Sequence, residues 1–156
     1  MKALFVIDMQ EEYVGKNNHN GYDSDNLINS VNSRILQAQQ EKELIVYIKN
    51  RKNLRSGIVI PEFAEGLAVV SENIFFKDKS SIFSNKEVLS FLEQNNVTEI
   101  EVIGVDGNCC VASTALDGVK LGLKVIFPCQ YIGVKNAERF IKKKENLIKS
   151  GILVIE

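Results

Sequence analysis

Two hydrophobic patterns alternate along this chain: short runs of consecutive apolar residues, and longer segments in which apolar residues recur every three or four positions. The short runs have the length of β-strands, and the longer segments have the period of an amphipathic helix. The pattern predicts six strands, at residues 3–7, 44–48, 74–76, 100–105, 124–127 and 152–155. It predicts helices between them, one of which begins at about Cys110 and ends at Leu121, before Gly122.

Strands that are apolar over nearly their whole length, separated by helices, are typical of a parallel sheet with both faces covered. We therefore predict an α/β protein with three layers (helix, sheet, helix) and a six-stranded, mainly parallel, Rossmann-like sheet. A chain of 156 residues is long enough to bury a sizeable core in one unit. Residues 1–156 are predicted to form a single domain.

Two local features refine this prediction. Ser84 and Glu87 have the spacing of a capping box, which predicts the start of the helix after the third strand. Segment 50–73 has no strong period, and long connections in compact domains are often functional. We expect this segment to border the functional site and to act as its lid.

The composition narrows the class of partner. The chain is 45% hydrophobic and 25% charged with a net charge of −1, which argues against nucleic acid or an anionic membrane as a partner. No apolar run approaches the roughly 18 residues of a membrane span, and the first apolar run is interpreted as a strand, not a signal peptide. Three cysteines and one histidine do not suggest a disulfide framework, a zinc site or a cofactor site. We expect a cytoplasmic protein that acts on a small molecule.

Three predicted strands lead into residues that carry chemistry. Asp8 follows the first strand, Lys77 follows the third, and Cys109 and Cys110 open the helix after the fourth. In an open parallel sheet, ligands bind beyond the carboxyl ends of the strands, so the pattern brings a carboxylate, an ammonium and a thiol to one edge. Each residue also has an ordinary structural explanation, such as a turn cap, a surface lysine or a small buried side chain.

The set is chemically coherent. A helix N-terminus and a nearby cation lower the pKa of a thiol. A carboxylate can take the thiol proton and pass it to a leaving amine, and a lysine keeps that carboxylate ionised. Backbone N–H groups in the turn before the helix can bind an oxyanion.

Four segments in order along the chain resemble the isochorismatase-like cysteine hydrolases, a family that includes nicotinamidases and N-carbamoylsarcosine amidase. The four segments are FVIDMQ with Tyr13, KDKSSIF from Lys77, GVDGNCCV from Gly104 with Thr114-Ala115, and GLKV from Gly122. Together they cover nearly the whole chain.

The resemblance implies a role for each site residue. Asp8, Lys77 and Cys110 match the family's catalytic aspartate, lysine and cysteine, which leaves Cys109 as a packing neighbour. A cis peptide is expected between Val105 and Asp106, with the N–H groups of Asp106 and Cys110 directed at an oxyanion. Tyr13 matches a pocket aromatic. Family members commonly form dimers or larger assemblies, so a homo-oligomer is expected.

The chain also departs from that family. Metal-dependent nicotinamidases carry an aspartate and histidines after the second strand, where this chain has residues 49–53, KNRKN, so no metal and no cofactor are expected. Arg51 and Arg55 lie in this region, and an arginine on a rim loop can hold a substrate carboxylate. Both are candidate substrate-binding residues.

The leading hypothesis is therefore a hydrolase of small amide or carbamoyl compounds that acts through a thioester on Cys110. The alternative is a catalytically silent binding or assembly module on the same fold. A thiol redox protein using Cys109 and Cys110 is a third hypothesis, which the absence of a Cys-x-x-Cys spacing disfavours.

Overall fold

The apolar runs form the strands of one main sheet, and the periodic segments form the helices. The computed structural model describes residues 1–156. The strands are β1 (Lys2–Ile7), β2 (Leu44–Asn50), β3 (Lys52–Leu54), β4 (Gly57–Val59), β5 (Ile74–Lys77), β6 (Glu99–Val105), β7 (Lys124–Pro128), β8 (Ile132–Gly133) and β9 (Leu153–Ile155). The helices are α1 (Glu11–Val14), α2 (Ser24–Gln40), α3 (Lys86–Gln94), α4 (Cys110–Lys120) and α5 (Ala137–Lys149). None of these helices combines the length and the apolar character that crossing a membrane requires.

The main sheet has the strand order β5-β2-β1-β6-β7-β9, and every pair in it is parallel. The two-residue strand β8 adds a parallel pair at the end of β6. The predicted six-stranded parallel sheet is confirmed, with β8 as a short seventh strand. Because β2 lies on one side of β1 and β6 on the other, the chain reverses direction across the sheet between β1 and β6. Ligands gather at such a switch point in open α/β sheets.

Two hydrophobic cores cover the two faces of the sheet. Alternate residues of β1 point to opposite faces, because side chains alternate along a strand. Phe5 and Ile7 belong to the core under α3, α4 and α5, whereas Leu4 and Val6 belong to the core under α2. All four side chains are buried, so the three predicted layers are present.

The start of α3 differs from the prediction. Asn85, not Ser84, caps this helix: its side-chain oxygen accepts a 2.9 Å hydrogen bond from the backbone N–H of Glu87. Ser84 ends a short 3₁₀ turn, and its hydroxyl donates to the carbonyl of Ser81. The capping-box assignment to Ser84 was wrong because the preceding turn moves the start of the helix one residue along.

The long connection also has more structure than its sequence pattern predicts. Strands β3 and β4 form an antiparallel hairpin within it. Residues Leu54 and Ile58 on this hairpin are exposed. A three-residue strand is too short for a period-two pattern to be recognised, which explains why the hairpin was missed.

The amino ends of β1 and β6 carry a buried ionic cluster. Glu101 accepts hydrogen bonds from Arg34 Nε at 2.6 Å and Arg34 Nη2 at 3.1 Å, and its carboxylate lies 2.9 Å from Lys2 Nζ. Arg34 also donates to Glu43 at 2.7 Å. Burial works against the charge on Glu101, but the hydrogen bonds from Arg34 and Lys2 outweigh it and hold the pKa of Glu101 below its ordinary value. The cluster ties α2 to the sheet at the end opposite the carboxyl ends of the strands.

Candidate active site

Adjacent strands deliver the candidate residues to one edge of the sheet. Lys77 is the last residue of β5, Asn50 is the last of β2, and Asp8 directly follows β1. The segment from Asp106 to Cys110 follows β6 and leads into α4. Asp8, Lys77 and Cys110 therefore lie at the carboxyl edge of the sheet, as predicted from the positions of the strand ends. In the structure these three residues are in contact.

Lys77 is the centre of this contact. Its ammonium lies 3.1 Å from Asp8 Oδ2 and donates a 3.4 Å hydrogen bond to Cys110 Sγ. It also donates a 3.5 Å hydrogen bond to Asn50 Oδ1. The Lys77 side chain is 1% exposed and that of Asp8 is 7% exposed, so the pair is desolvated. A buried charge pair of this kind interacts strongly.

The burial of the site changes the acidity of its groups. Burial raises the pKa of Asp8, and the charge and hydrogen bond of Lys77 oppose this effect only in part. Burial also raises the pKa of the Cys110 thiol, and the Asp8 carboxylate raises it further, while Lys77 lowers it. Asp8 and Cys110 thus influence each other's acidity, and Lys77 favours the charged form of both groups. Asp8 Oδ1 is buried and has no hydrogen-bond partner, so this oxygen is free to accept a proton.

The backbone of Asp8 adopts an unusual conformation. Its φ angle is 55°, in the left-handed region that aspartate tolerates better than most residues. The backbone N–H of Asp8 donates a 3.0 Å hydrogen bond to the carbonyl of Ile48, which holds the strand end in place. This turn directs the carboxylate away from the regular strand path and toward Lys77.

The turn before α4 offers free donors beside Cys110. The peptide bond between Val105 and Asp106 is cis, as the family resemblance implies. Neither the N–H of Asp106 nor that of Cys110 donates to another backbone group. No side chain caps α4, so its N-terminal end is open to a developing negative charge. Cys109 is exposed, whereas Cys110 is half-buried.

The Asp106 carboxylate is fully engaged elsewhere. It accepts hydrogen bonds from the Tyr22 hydroxyl at 2.7 Å, from the Asn108 N–H at 2.8 Å and from the Lys135 N–H at 2.7 Å. Three donors hold this buried carboxylate in a fixed orientation. The carboxylate thus connects three chain segments around the site.

Sequence reasoning missed Asn50 and Gln10. The Gln10 side chain is fully buried, accepts from the Asn50 N–H at 2.8 Å and donates to the Asn50 carbonyl at 3.1 Å. The Asn50 side chain in turn donates to the Tyr13 hydroxyl at 2.9 Å. Asn50 could have been found from the sequence, because it ends a strand at the same edge as Asp8 and Lys77. Gln10 carried no such signal.

A cavity of about 140 Å³ opens over these groups. Its lining residues are Asp8, Tyr13, Asn20, Tyr22, Asn50, Val105, Asp106, Cys109, Cys110 and Lys135. Four of the predicted residues therefore line the cavity: Asp8, Tyr13, Asp106 and Cys110. Lys77 does not line it but contacts two residues that do, Asp8 and Cys110. The volume suits a ligand of only a few non-hydrogen atoms.

The two predicted arginines do not line this cavity. Arg51 donates two hydrogen bonds to the Asp78 carboxylate, at 2.9 and 2.8 Å, on the outside of the site. Arg55 is an exposed residue in the turn of the β3–β4 hairpin. Of the segment expected to form a lid, residues 50–73, only Asn50 lines the cavity. The segment borders the site as expected, since the carbonyl of Pro61 also accepts a 2.8 Å hydrogen bond from the Gln10 side chain. Its role as a lid stays a prediction.

The residues near the end of β2 do not form a metal centre. No group of three or more His, Cys, Asp or Glu side chains lies close enough together to hold a metal ion. Lys49 is buried, and its ammonium lies 4.5 Å from the centre of the Phe63 ring. Lys52 pairs with Glu12 on the surface. Ammonium groups are not metal ligands, so the donor set of this chain does not fit a metal centre.

The sequence of this chain matches a known protein family, and its fold matches several solved structures. The model of the isochorismatase domain matches residues 2–141. The pyrazinamidase of Pyrococcus horikoshii, solved in complex with zinc, is 24% identical with a TM-score of 0.82, covering 99% of this chain and 98% of that one. An isochorismatase-like hydrolase from Alkaliphilus metalliredigens is 21% identical with a TM-score of 0.85, covering 99% and 93%. The nicotinamidase of Bacillus subtilis is 17% identical with a TM-score of 0.82, covering 99% of each chain. At these identities the structural likeness establishes the fold, and no curated protein sequence matches this chain significantly.

Proposed function

The chain belongs to the isochorismatase family, and from this premise we propose that it hydrolyses the C–N bond of a small amide or carbamoyl compound through a thioester on Cys110. The observation that carries the proposal is the contact of one buried ammonium, that of Lys77, with both the Asp8 carboxylate and the Cys110 thiol. The names of the two structural relatives, a pyrazinamidase and a nicotinamidase, agree with an amide substrate.

The first half of the reaction forms the thioester. The Cys110 thiol gives its proton to Asp8 Oδ1, the buried oxygen without a partner, and the sulfur attacks the amide carbon. The carbonyl oxygen becomes an oxyanion, which accepts hydrogen bonds from the free N–H groups of Asp106 and Cys110. The C–N bond then breaks, and Asp8 returns the proton to the departing nitrogen as ammonia or an amine leaves.

The second half releases the acid. Water attacks the thioester carbon while Asp8 accepts one of its protons, and a second oxyanion forms in the same position. The C–S bond breaks, the proton passes to the sulfur, and the free thiol is restored. The Lys77 ammonium contacts both groups and compensates the negative charge that alternates between the carboxylate and the sulfur.

Ammonia release from a panel of small amides and ureides tests this proposal. Cys110→Ser should lower the rate by about 10³-fold or more, since a hydroxyl is a far weaker nucleophile in this setting. Cys109→Ser is the matched control and should keep at least about a tenth of the wild-type rate, because an exposed thiol outside the contact with Lys77 has no step to perform.

Mass spectrometry of the protein quenched during turnover should find the acyl group on Cys110. If the wild-type protein releases no ammonia from any compound and carries no adduct, the silent binding module is the better description. Equal losses in the two cysteine variants would remove Cys110 from its assigned role.

A further inference from the structure

Most polar groups that line the cavity already have partners within the protein. Asp106 accepts three hydrogen bonds, and Asn50 is held by Gln10 and Tyr13. Asp8 and the N–H groups around Cys110 serve the reacting bond in the proposed function. The remaining charged group is Lys135, the only lysine or arginine among the lining residues.

The position of Lys135 is fixed by its backbone. It lies two residues beyond β8, which pairs with the end of β6, the strand that leads to the nucleophile turn. Its N–H donates a 2.7 Å hydrogen bond to Asp106 Oδ2. Gly107 donates to the carbonyl of Gly133 at 2.9 Å and adds a second link between the two segments. Lys135 is thus held beside the cavity by main-chain contacts that leave its side chain uncommitted.

The ammonium of Lys135 forms no ion pair. No carboxylate of the protein lies within 4.0 Å of it. The nearby Asp106 carboxylate is directed at Tyr22 and at the N–H groups of Asn108 and Lys135. Arg51, by contrast, is neutralised by Asp78. An unpaired cation at the edge of a small polar cavity favours an anionic group on the ligand.

We propose that Lys135 binds a carboxylate of the substrate, so that the enzyme selects small amides that carry a carboxylate close to the scissile bond. This inference rests on the proposed function and assigns its substrate class. Lys135 is a specificity residue in this scheme: it holds the far end of the substrate while Cys110 attacks the amide. Arg51 and Arg55 have no part in this recognition.

Matched pairs of amides test the selectivity. Malonamate and succinamate carry a carboxylate, whereas malonamide and succinamide are neutral compounds of similar size. Wild-type protein should prefer the carboxylate member of each pair by about tenfold or more in kcat/KM. Lys135→Met should raise KM for malonamate at least about tenfold with little change in kcat and leave malonamide unaffected, whereas Lys135→Arg should retain the preference.

Lys120→Met is the charge-matched control, because Lys120 is an exposed residue at the opposite end of α4 from Cys110. It should not alter the preference. Equal kcat/KM for both members of each pair in the wild type, or equal effects of Lys135→Met on both, would overturn the inference and leave the amide hydrolase intact.

A second measurement does not depend on turnover. In a Cys109→Ser background, Cys110 is alkylated with iodoacetate, which is an anion, and with iodoacetamide, which is neutral. Lys135→Met should lower the iodoacetate-to-iodoacetamide rate ratio about tenfold, and Lys120→Met should not. An unchanged ratio contradicts the anion site. A lowered ratio in a protein that hydrolyses no amide would instead retain the anion site and remove the proposed function.

Discussion

Gly104 lies opposite Ile7 in the β1–β6 pair, so close that a Cβ at position 104 would overlap the carbonyl oxygen of Ile7. Ile7 directly precedes Asp8, and Gly104 lies two residues before Asp106. This close approach of two strand ends therefore sets the distance between the candidate base and the turn that carries the candidate nucleophile. The φ angle of Gly104 is 111°, which side-chain-bearing residues rarely adopt.

Gly104→Ala should destabilise the protein by about 2–4 kcal/mol, because strain at a positive φ adds to the overlap with Ile7. It should also lower activity by displacing Asp8 from the nucleophile turn. Gly122→Ala is the control: its φ is also positive, at 82°, but no atom lies near the added Cβ, so it should cost only about 1–2 kcal/mol. Urea denaturation compares the two, and equal losses would show that the contact with Ile7 has no role.

Asp8→Asn should make the Cys110 thiol more acidic while stopping catalysis. Burial and the Asp8 charge raise the pKa of this thiol and Lys77 lowers it, so removal of the carboxylate charge leaves burial as the main effect that opposes Lys77. The pH profile of Cys110 alkylation by iodoacetamide should therefore move to lower pH. Amide hydrolysis should fall by about 10²–10⁴-fold, since the proton carrier is lost. A profile that moves to higher pH would contradict the electrostatic coupling of the two groups.

Glu101→Gln should destabilise the protein by about 2–3 kcal/mol at pH 7, because it removes the carboxylate that accepts two hydrogen bonds from the buried Arg34 and leaves Glu43 as the only charged partner of Arg34. The pKa of Glu101 is lowered in the folded state, so its stabilising effect is complete above the ordinary pKa of 4.5 and declines as the pH falls through the folded-state value. The difference in free energy of unfolding between wild type and variant should therefore narrow in acid.

Glu99→Gln, in the same strand, is the control. It removes only the partner of the exposed Lys124 and should cost less than about 1 kcal/mol. Urea unfolding between pH 3 and pH 8 measures both, and a gap that does not change with pH would contradict the assignment.

Tyr22→Phe should cost about 1.5–3 kcal/mol, since it removes one of three hydrogen bonds to the buried Asp106 carboxylate. It should also weaken substrate binding, because Asp106 positions the segment that carries Lys135. Tyr131→Phe, at a half-buried tyrosine outside the cavity, serves as the control and should change stability by about 0.5 kcal/mol or less. Thermal unfolding and KM values distinguish the two variants. Equal effects would contradict a contribution of the Tyr22–Asp106 hydrogen bond to stability and substrate binding.

The sequence was sufficient for the sheet and for the centre of the candidate site. Asp8, Lys77 and Cys110 each follow or end a strand that an apolar run makes recognisable, and parallel strands bring such ends to one edge. Asn50 obeys the same rule. It was overlooked because the predicted strand ended at Ile48, so that Asn50 fell in the loop beyond it.

Other parts of the site depend on contacts that no local pattern records. Lys135 reaches the cavity because the two-residue strand β8 pairs with β6, and two residues are too few for any periodicity. Arg51 does not line the cavity and instead pairs with Asp78, a partner 27 positions away in the sequence. In both cases, hydrogen bonds between segments distant in the sequence determine whether the residue lies at the cavity.

The ionic cluster of Arg34 and Glu101 lies at the amino ends of the strands, whereas the cavity lies at their carboxyl ends. The six residues of β1 separate the two by roughly 20 Å, and no side chain belongs to both. Substitutions that far apart, without shared partners, have additive energetic effects. Residues around Lys135 can therefore be exchanged to bind a different molecule. Stability lost in such exchanges can be restored by substitutions around Arg34, so substrate specificity can change while the fold is kept.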